Sequence, residues 1–132
     1  MQYIQHPLAD SKIDIDDVIF ITTHAMSTGV GDLAEIIPTR KVSSQAIPPH
    51  SSTKSLSGHT MGTAGANALI FCMARLQYQF IVPSTNIKEL DPHVTNIPIV
   101  PDPQDAEIDV VVSTASGVEG TNSSLVFRKC YA

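Results

Sequence analysis

The chain has 132 residues, 42% of them hydrophobic and 16% charged, with a formal net charge of -5. A globular unit of that size buries roughly two thirds of its unfolded surface, so the composition excludes a disordered tail. Without any Lys/Arg run, the acidic balance also argues against a nucleic-acid or anionic-membrane surface.

No segment reaches the ~18 apolar residues of a membrane span, and Met1 opens no basic-then-apolar signal pattern. Cys72 and Cys130 have neither metal-ligand spacing nor a disulfide framework. A reduced, cytoplasmic protein is therefore expected, formed by residues 1–132 as a single unit, with Cys72 in the core.

In chain order, residues 1–17 are polar and weakly patterned, and Pro7 should break any helix there. Residues 17–23 (DVIFITT) form a β-branched and aromatic run of strand length, delivering His24 at its carboxyl end. A small-residue loop, AMSTGVGD, leads to Asp32 with Glu35 three positions on, a capping-box pattern that starts a helix. Pro38 should kink that helix or end it near Ile37. The segment AIPPHSST is too proline-rich for a central strand, though residues 51–53 could pair briefly.

Residues 52–65 (STKSLSGHTMGTAG) combine a lysine, a histidine and three glycines ahead of a long apolar helix signal. Gly58, Gly62 and Gly65 leave side-chain-free backbone where a helix begins, open to close approach by a ligand. The positive end of the helix dipole disfavours imidazolium at His59, which suits a hydrogen-bonding role in an acyl site. The helix over residues 61–79 is apolar on every side from Ala64 to Ala74 and is expected to be buried all round between layers. A short strand at 80–82, irregular chain across the prolines of 86–103, and a hairpin of strands 108–114 and 125–129 complete a mixed α/β unit.

Three islands, THAMSTGVGD, STKSLSGHTMGTAG and SGVEGTNSSLVFRK, with FIVPSTNIKELDP between them, resemble the carboxyl-terminal half of β-ketoacyl-acyl-carrier-protein synthases. These are the elongating condensing enzymes of fatty acid and polyketide synthesis, and the likeness runs from about Ile13 to the end. It implies a thiolase-like fold, of which this chain is one half of an α-β-α-β-α layered sandwich with a mixed sheet. By the same resemblance, His24 matches the histidine of H-G-T-x-T-x-x-G-D, and His59 that of G-H-x-x-G-A-A-G.

In the family those histidines hydrogen-bond the malonyl thioester oxygen while carbon dioxide leaves; Lys54 matches a lysine that supports the second of them. An oxyanion-hole N–H is implied at Val118, in the turn that carries Gly117 and Gly120. No metal or other cofactor is implied. The implied partners are an acyl carrier protein bearing phosphopantetheine-linked acyl and malonyl groups, and the amino-terminal half or a synthase subunit, with the complete enzyme a dimer.

The family's nucleophilic cysteine belongs to the amino-terminal half, so the isolated chain is expected to be an inactive half of an acyltransferase. Ala25 and Met26 stand where the family carries Gly and Thr. The terminal F-G-F-G-G-T-N reads S-G-V-E-G-T-N, and Ala68 replaces a glutamate that would pair with Lys54. Burial without that partner should lower the lysine's pKa, while Glu119 would oppose a malonyl carboxylate.

A non-catalytic relative, comparable to chain-length-factor subunits, is the alternative these departures keep open. A metal site of His24, Asp32 and His59 is a third reading. Taken singly, His24 reads as a structural histidine, Lys54 as a solvated surface lysine, Asp32 as a helix cap, and His6, His50 and His93 as surface residues.

Overall fold

The computed structural model describes residues 2–43, 46–94 and 96–131. Helix α1 (Gln2–Ser11) carries Pro7 in its interior, contrary to the expected break. Proline there forfeits a hydrogen bond and costs ~3 kcal/mol. Ile4 and Leu8, four apart and so on one face, are buried against Ile13, Ile15, Val18 and Ile21. Two buried aliphatic side chains contribute about 3–6 kcal/mol, so packing outweighs the proline.

The apolar run that follows divides. Asp14 caps a 3-10 turn at Ile15–Asp17 by accepting from the Asp16 N–H, and only the second half of the run becomes strand β1 (Phe20–Thr22). Helix α2 (Gly29–Val42) starts before Asp32, with Thr28 at its N-cap, and passes through Pro38 without ending near Ile37. Burial of Glu35, Ile36 and Thr39 holds it down on both sides of the proline. The chain continues through β2 (His50–Ser51), α3 (Lys54–Ser57) and α4 (Ala64–Tyr78), then β3 (Phe80–Ile81), β4 (Gln104–Asp105), β5 (Val110–Ser116) and β6 (Asn122–Arg128).

Four strands form one sheet in the order β2-β1-β5-β6. β1 is parallel to both β2 and β5, while β5 and β6 make the expected antiparallel hairpin, in register from Val110 opposite Arg128 to Ser116 opposite Asn122. β3 and β4 pair separately. Alternation along the strands divides the core in two. Ile21, Val110 and Val112 face α1, whereas Phe20 and Val111 pack with Cys72, Ile81, Val100 and Ile108 on the α4 side.

Two burial expectations are corrected. α4 buries Cys72 and Arg75 against the sheet but leaves Ile70 59% and Met73 56% exposed, because this chain supplies a layer for one side of the helix only. His50, expected at the surface, is wholly buried in β2, between β1 and the bridge its strand makes to Ile99. The prolines around it route the chain inward at this point: its N–H donates to the Pro98 carbonyl at 2.8 Å. His6 and His93 are exposed, and His93 pairs with Asp91 at 2.8 Å.

Candidate active site

Because β1, β2 and β5 run parallel, their carboxyl ends share one edge of the sheet, the edge at which open α/β sheets bind ligands. His24 leaves β1 there, Lys54 follows β2, and the Gly117–Thr121 turn follows β5. Local hydrogen bonds fix the first of these. The backbone N–H groups of His24 and Ala25 donate to the two carboxylate oxygens of Glu35 at 2.6 and 2.9 Å, and the Thr114 hydroxyl donates to the same carboxylate.

Glu35 is therefore not the reciprocal partner of a capping box; it anchors the β1–α2 loop. Burial pushes its pKa up, against the lowering effect of those hydrogen bonds and of Lys54. Asp32 holds the same loop by accepting from the N–H groups of Met26 and Thr28 at 3.1 and 3.3 Å.

The imidazoles of His24 and His59 meet edge to face, with centroids 5.2 Å apart and planes at 86°. That spacing is within what two donors, each reaching about 3 Å to one shared oxygen, can span. Lys54 does not stand behind His59 as the resemblance implies. Its Nζ lies 3.5 Å from Nδ1 of His24 and donates to the His24 carbonyl.

An ammonium only donates, so Nδ1 of a neutral His24 accepts and its proton sits on Nε2. Nε2 is buried without a hydrogen-bond partner among the described residues. In His59, which is exposed, Nδ1 accepts the Met61 N–H at 3.3 Å, leaving Nε2 to carry the proton of the neutral ring. Burial lowers the pKa of His24, as do the Lys54 and His59 charges, with Asp32 opposing. Lys54, half-buried, is lowered by burial and raised by Glu35 and Asp32.

His24 and His59 line a cleft with Met61, Ala115, Gly117 and Val118. Gly120 does not line it; it borders a separate hollow with Tyr3, His6 and Asn122. Glu119 is exposed and lies outside the cleft lining as well. The backbone around the cleft is strained: Ala25, Ser27, Met61 and Glu119 have φ of 23°, 64°, 51° and 65°, values that favour glycine. Of Gly58, Gly62 and Gly65, only Gly58, at φ 70°, is required by its conformation. A Cβ on Gly62 or Gly65 would meet open space.

Cys72 is no nucleophile in this setting. It is wholly buried under the sheet, 3.6 Å from the Thr22 hydroxyl, and burial raises its pKa. Among the described residues no group of three His, Cys, Asp or Glu side chains could hold a metal. The His24–Asp32–His59 metal reading is thereby corrected, the Asp32 carboxylate being turned to its own loop.

The family described as "Beta-ketoacyl synthase, C-terminal domain" matches residues 1–88. The chain belongs to the β-ketoacyl synthase family. It is 39% identical over 120 residues to 3-oxoacyl-[acyl-carrier-protein] synthase 1 of Escherichia coli K12, an alignment covering 91% of this chain and 28% of that protein. It superposes on the ishigamide ketosynthase/chain length factor with a TM-score of 0.92 at 29% identity, over 97% of this chain and 32% of that one. A type II polyketide ketosynthase solved in complex with its acyl-carrier protein gives 0.91 at 25% identity, over the same shares. The chain thus spans under a third of the length of these synthases, as a carboxyl-terminal half with the thiolase-like α/β fold.

Within the ketosynthase frame, the sequence singles out Glu35 only as a capping-box partner, and Arg75 not at all. Glu35 and Thr39 share a buried helix face at i, i+4 spacing, and a carboxylate on such a face was the available signal. Arg75 lies one residue beyond the wholly apolar stretch. It is completely buried, donates to the Thr22 hydroxyl and sits 4.8 Å over the Phe20 ring.

Proposed function

We propose that this chain provides the enolate-stabilising half of a β-ketoacyl-acyl-carrier-protein synthase, in decarboxylative condensation of a malonyl thioester with an acyl thioester. The observation that carries the reading is the pair of imidazoles 5.2 Å apart at the strand edge, with an orphaned, buried Nε2 on His24. Two ring N–H donors set around one oxygen stabilise charge that develops as carbon dioxide leaves, an effect worth a few kcal/mol. A low pKa keeps His24 neutral near pH 7, with Nδ1 satisfied by Lys54 and Nε2 free to donate. The Val118 turn also lines the cleft, and a backbone donor from it is part of the proposal.

The thiol that carries the acyl group must come from elsewhere, since Cys72 is buried and Cys130 is exposed outside the cleft. An acyl carrier protein is the proposed donor, supported by the carrier-bound structural relative. The proposed assembly supplies an amino-terminal half and dimerises.

Titrating the chain with a malonyl-pantetheine thioester while following histidine ring signals by NMR tests the site. His24 and His59 should shift together, and His6 and His93 should not. Movement of the exposed pair alone would sink the reading.

A chain-length-factor-like subunit is the second reading, favoured by Val118 and Glu119 in place of aromatic and glycine residues. Adding the chain to an active ketosynthase would then alter product length without adding turnover. The catalytic half alone predicts turnover only when the amino-terminal half is supplied.

A further inference from the structure

Lys54 does not line the His24–His59–Val118 cleft itself; it lines two neighbouring ones, a narrow one with His24, Gly65 and Asn67 and a larger one between the β1–α2 loop and residues 84–91 that also reaches His59. It is the sole lysine among the lining residues of either cleft that touches an imidazole nitrogen, with Nζ 3.5 Å from Nδ1 of His24. We propose that Lys54 is a nucleophile toward small acyl thioesters, so that the chain acylates itself at this side chain. The inference rests on the reading of the His24–His59 pair as a thioester site, reached by Lys54 from the larger cleft that it shares with His59.

The step balances without an outside oxidant or reductant. The free amine of Lys54 attacks the thioester carbonyl carbon; a C–N bond forms and the carbonyl oxygen takes up negative charge beside the two imidazoles. The C–S bond then breaks. The proton shed by nitrogen passes to Nδ1 of His24 and on to the departing thiolate, leaving an amide on Lys54 and a free thiol.

Burial favours the free amine and lowers the pKa of Lys54, with the Glu35 and Asp32 carboxylates opposing. Acylation would remove the positive charge beside Nδ1 of His24 and leave a neutral amide N–H in its place, so the product no longer supports the imidazole pair by charge.

Incubation of the full chain with acetyl-pantetheine thioester, read by intact mass and peptide mapping, tests this. One acetyl group is expected, on Lys54, at a rate that saturates with thioester and exceeds that of exposed Lys12, Lys41 and Lys88 by at least about tenfold. Lys54→Arg should abolish the fast adduct, and His24→Ala should slow it roughly a hundredfold.

Uniform labelling of all lysines, or a rate at Lys54 no faster than at Lys88, would overturn the proposal. If the His24 and His59 ring signals shift with thioester while Lys54 stays unmodified, the cleft reading stands and self-acylation falls. If neither occurs, both fall.

Discussion

At the scale of single residues, the cleft is held together by groups whose charge states depend on one another. Lys54 satisfies Nδ1 of His24 and lowers its pKa, second only to burial. Replacing Lys54 with Met should therefore move the His24 titration upward, and an NMR titration in which it stays put or falls would show that the lysine charge does not reach the ring. Glu119 illustrates a different residue-scale constraint. At φ 65° it occupies backbone space that costs an L-residue ~1 kcal/mol or more relative to glycine. Glu119→Gly should raise the unfolding free energy by about 0.5–1 kcal/mol, measured by urea denaturation. An unchanged or lower midpoint would mean that contacts of the glutamate offset the strain.

At the scale of elements, α4 shows how one helix can carry two environments. Its Cys72 and Arg75 side is sealed against the sheet, while Ile70 and Met73 face outward. Arg75 brings a charge into that seal with Nε and Nη2 unpartnered among the described residues, and burial lowers its pKa. Removing a buried charge of this kind in favour of an apolar side chain of similar length is commonly neutral or stabilising. Arg75→Met should therefore raise stability, by about 1 kcal/mol in denaturant unfolding. A loss of more than ~2 kcal/mol would instead assign the Thr22 bond and the Phe20 stacking a larger share than desolvation.

The sequence showed that α4 is a helix and that it is apolar all round. It could not show that one face would lack a covering layer in this chain, because burial depends on which other elements are present. Pro7 and Pro38 misled for a related reason. A local penalty of ~3 kcal/mol is fixed by the residue, but the packing that exceeds it belongs to partners distant in sequence.

For the whole molecule, pH reports on the buried histidine of the sheet. Burial lowers the pKa of His50 from 6.5 to about 4, against the raising effect of the Pro48 backbone. The unfolded chain binds this proton more readily than the folded one, so stability falls as pH drops. The contribution is complete above pH 6.5 and is lost progressively down to about pH 4, a change of about 3 kcal/mol. Glu35, raised by burial above its ordinary 4.5, works in the opposite direction as pH rises from there. The comparison is therefore between the chain and its His50→Leu variant, whose pH slope should be shallower across this range. Equal slopes would show that His50 is not neutral in the folded state.

What the sequence determined by itself about this protein was its family and its chemistry-bearing islands, because motif letters and their order survive without any knowledge of packing. The hairpin and the helix after the glycine-rich turn were equally legible, since alternation and unbroken apolar character are local properties. Tertiary structure alone decided that Lys54 serves His24 rather than His59, that Glu35 ties down the loop carrying the first imidazole, and that His50 is core rather than surface. The first joins residues 30 positions apart, the second residues 11 apart, and the third sets β2 beside Ile99 from much further along the chain, and no local pattern records which of several possible neighbours a side chain will meet.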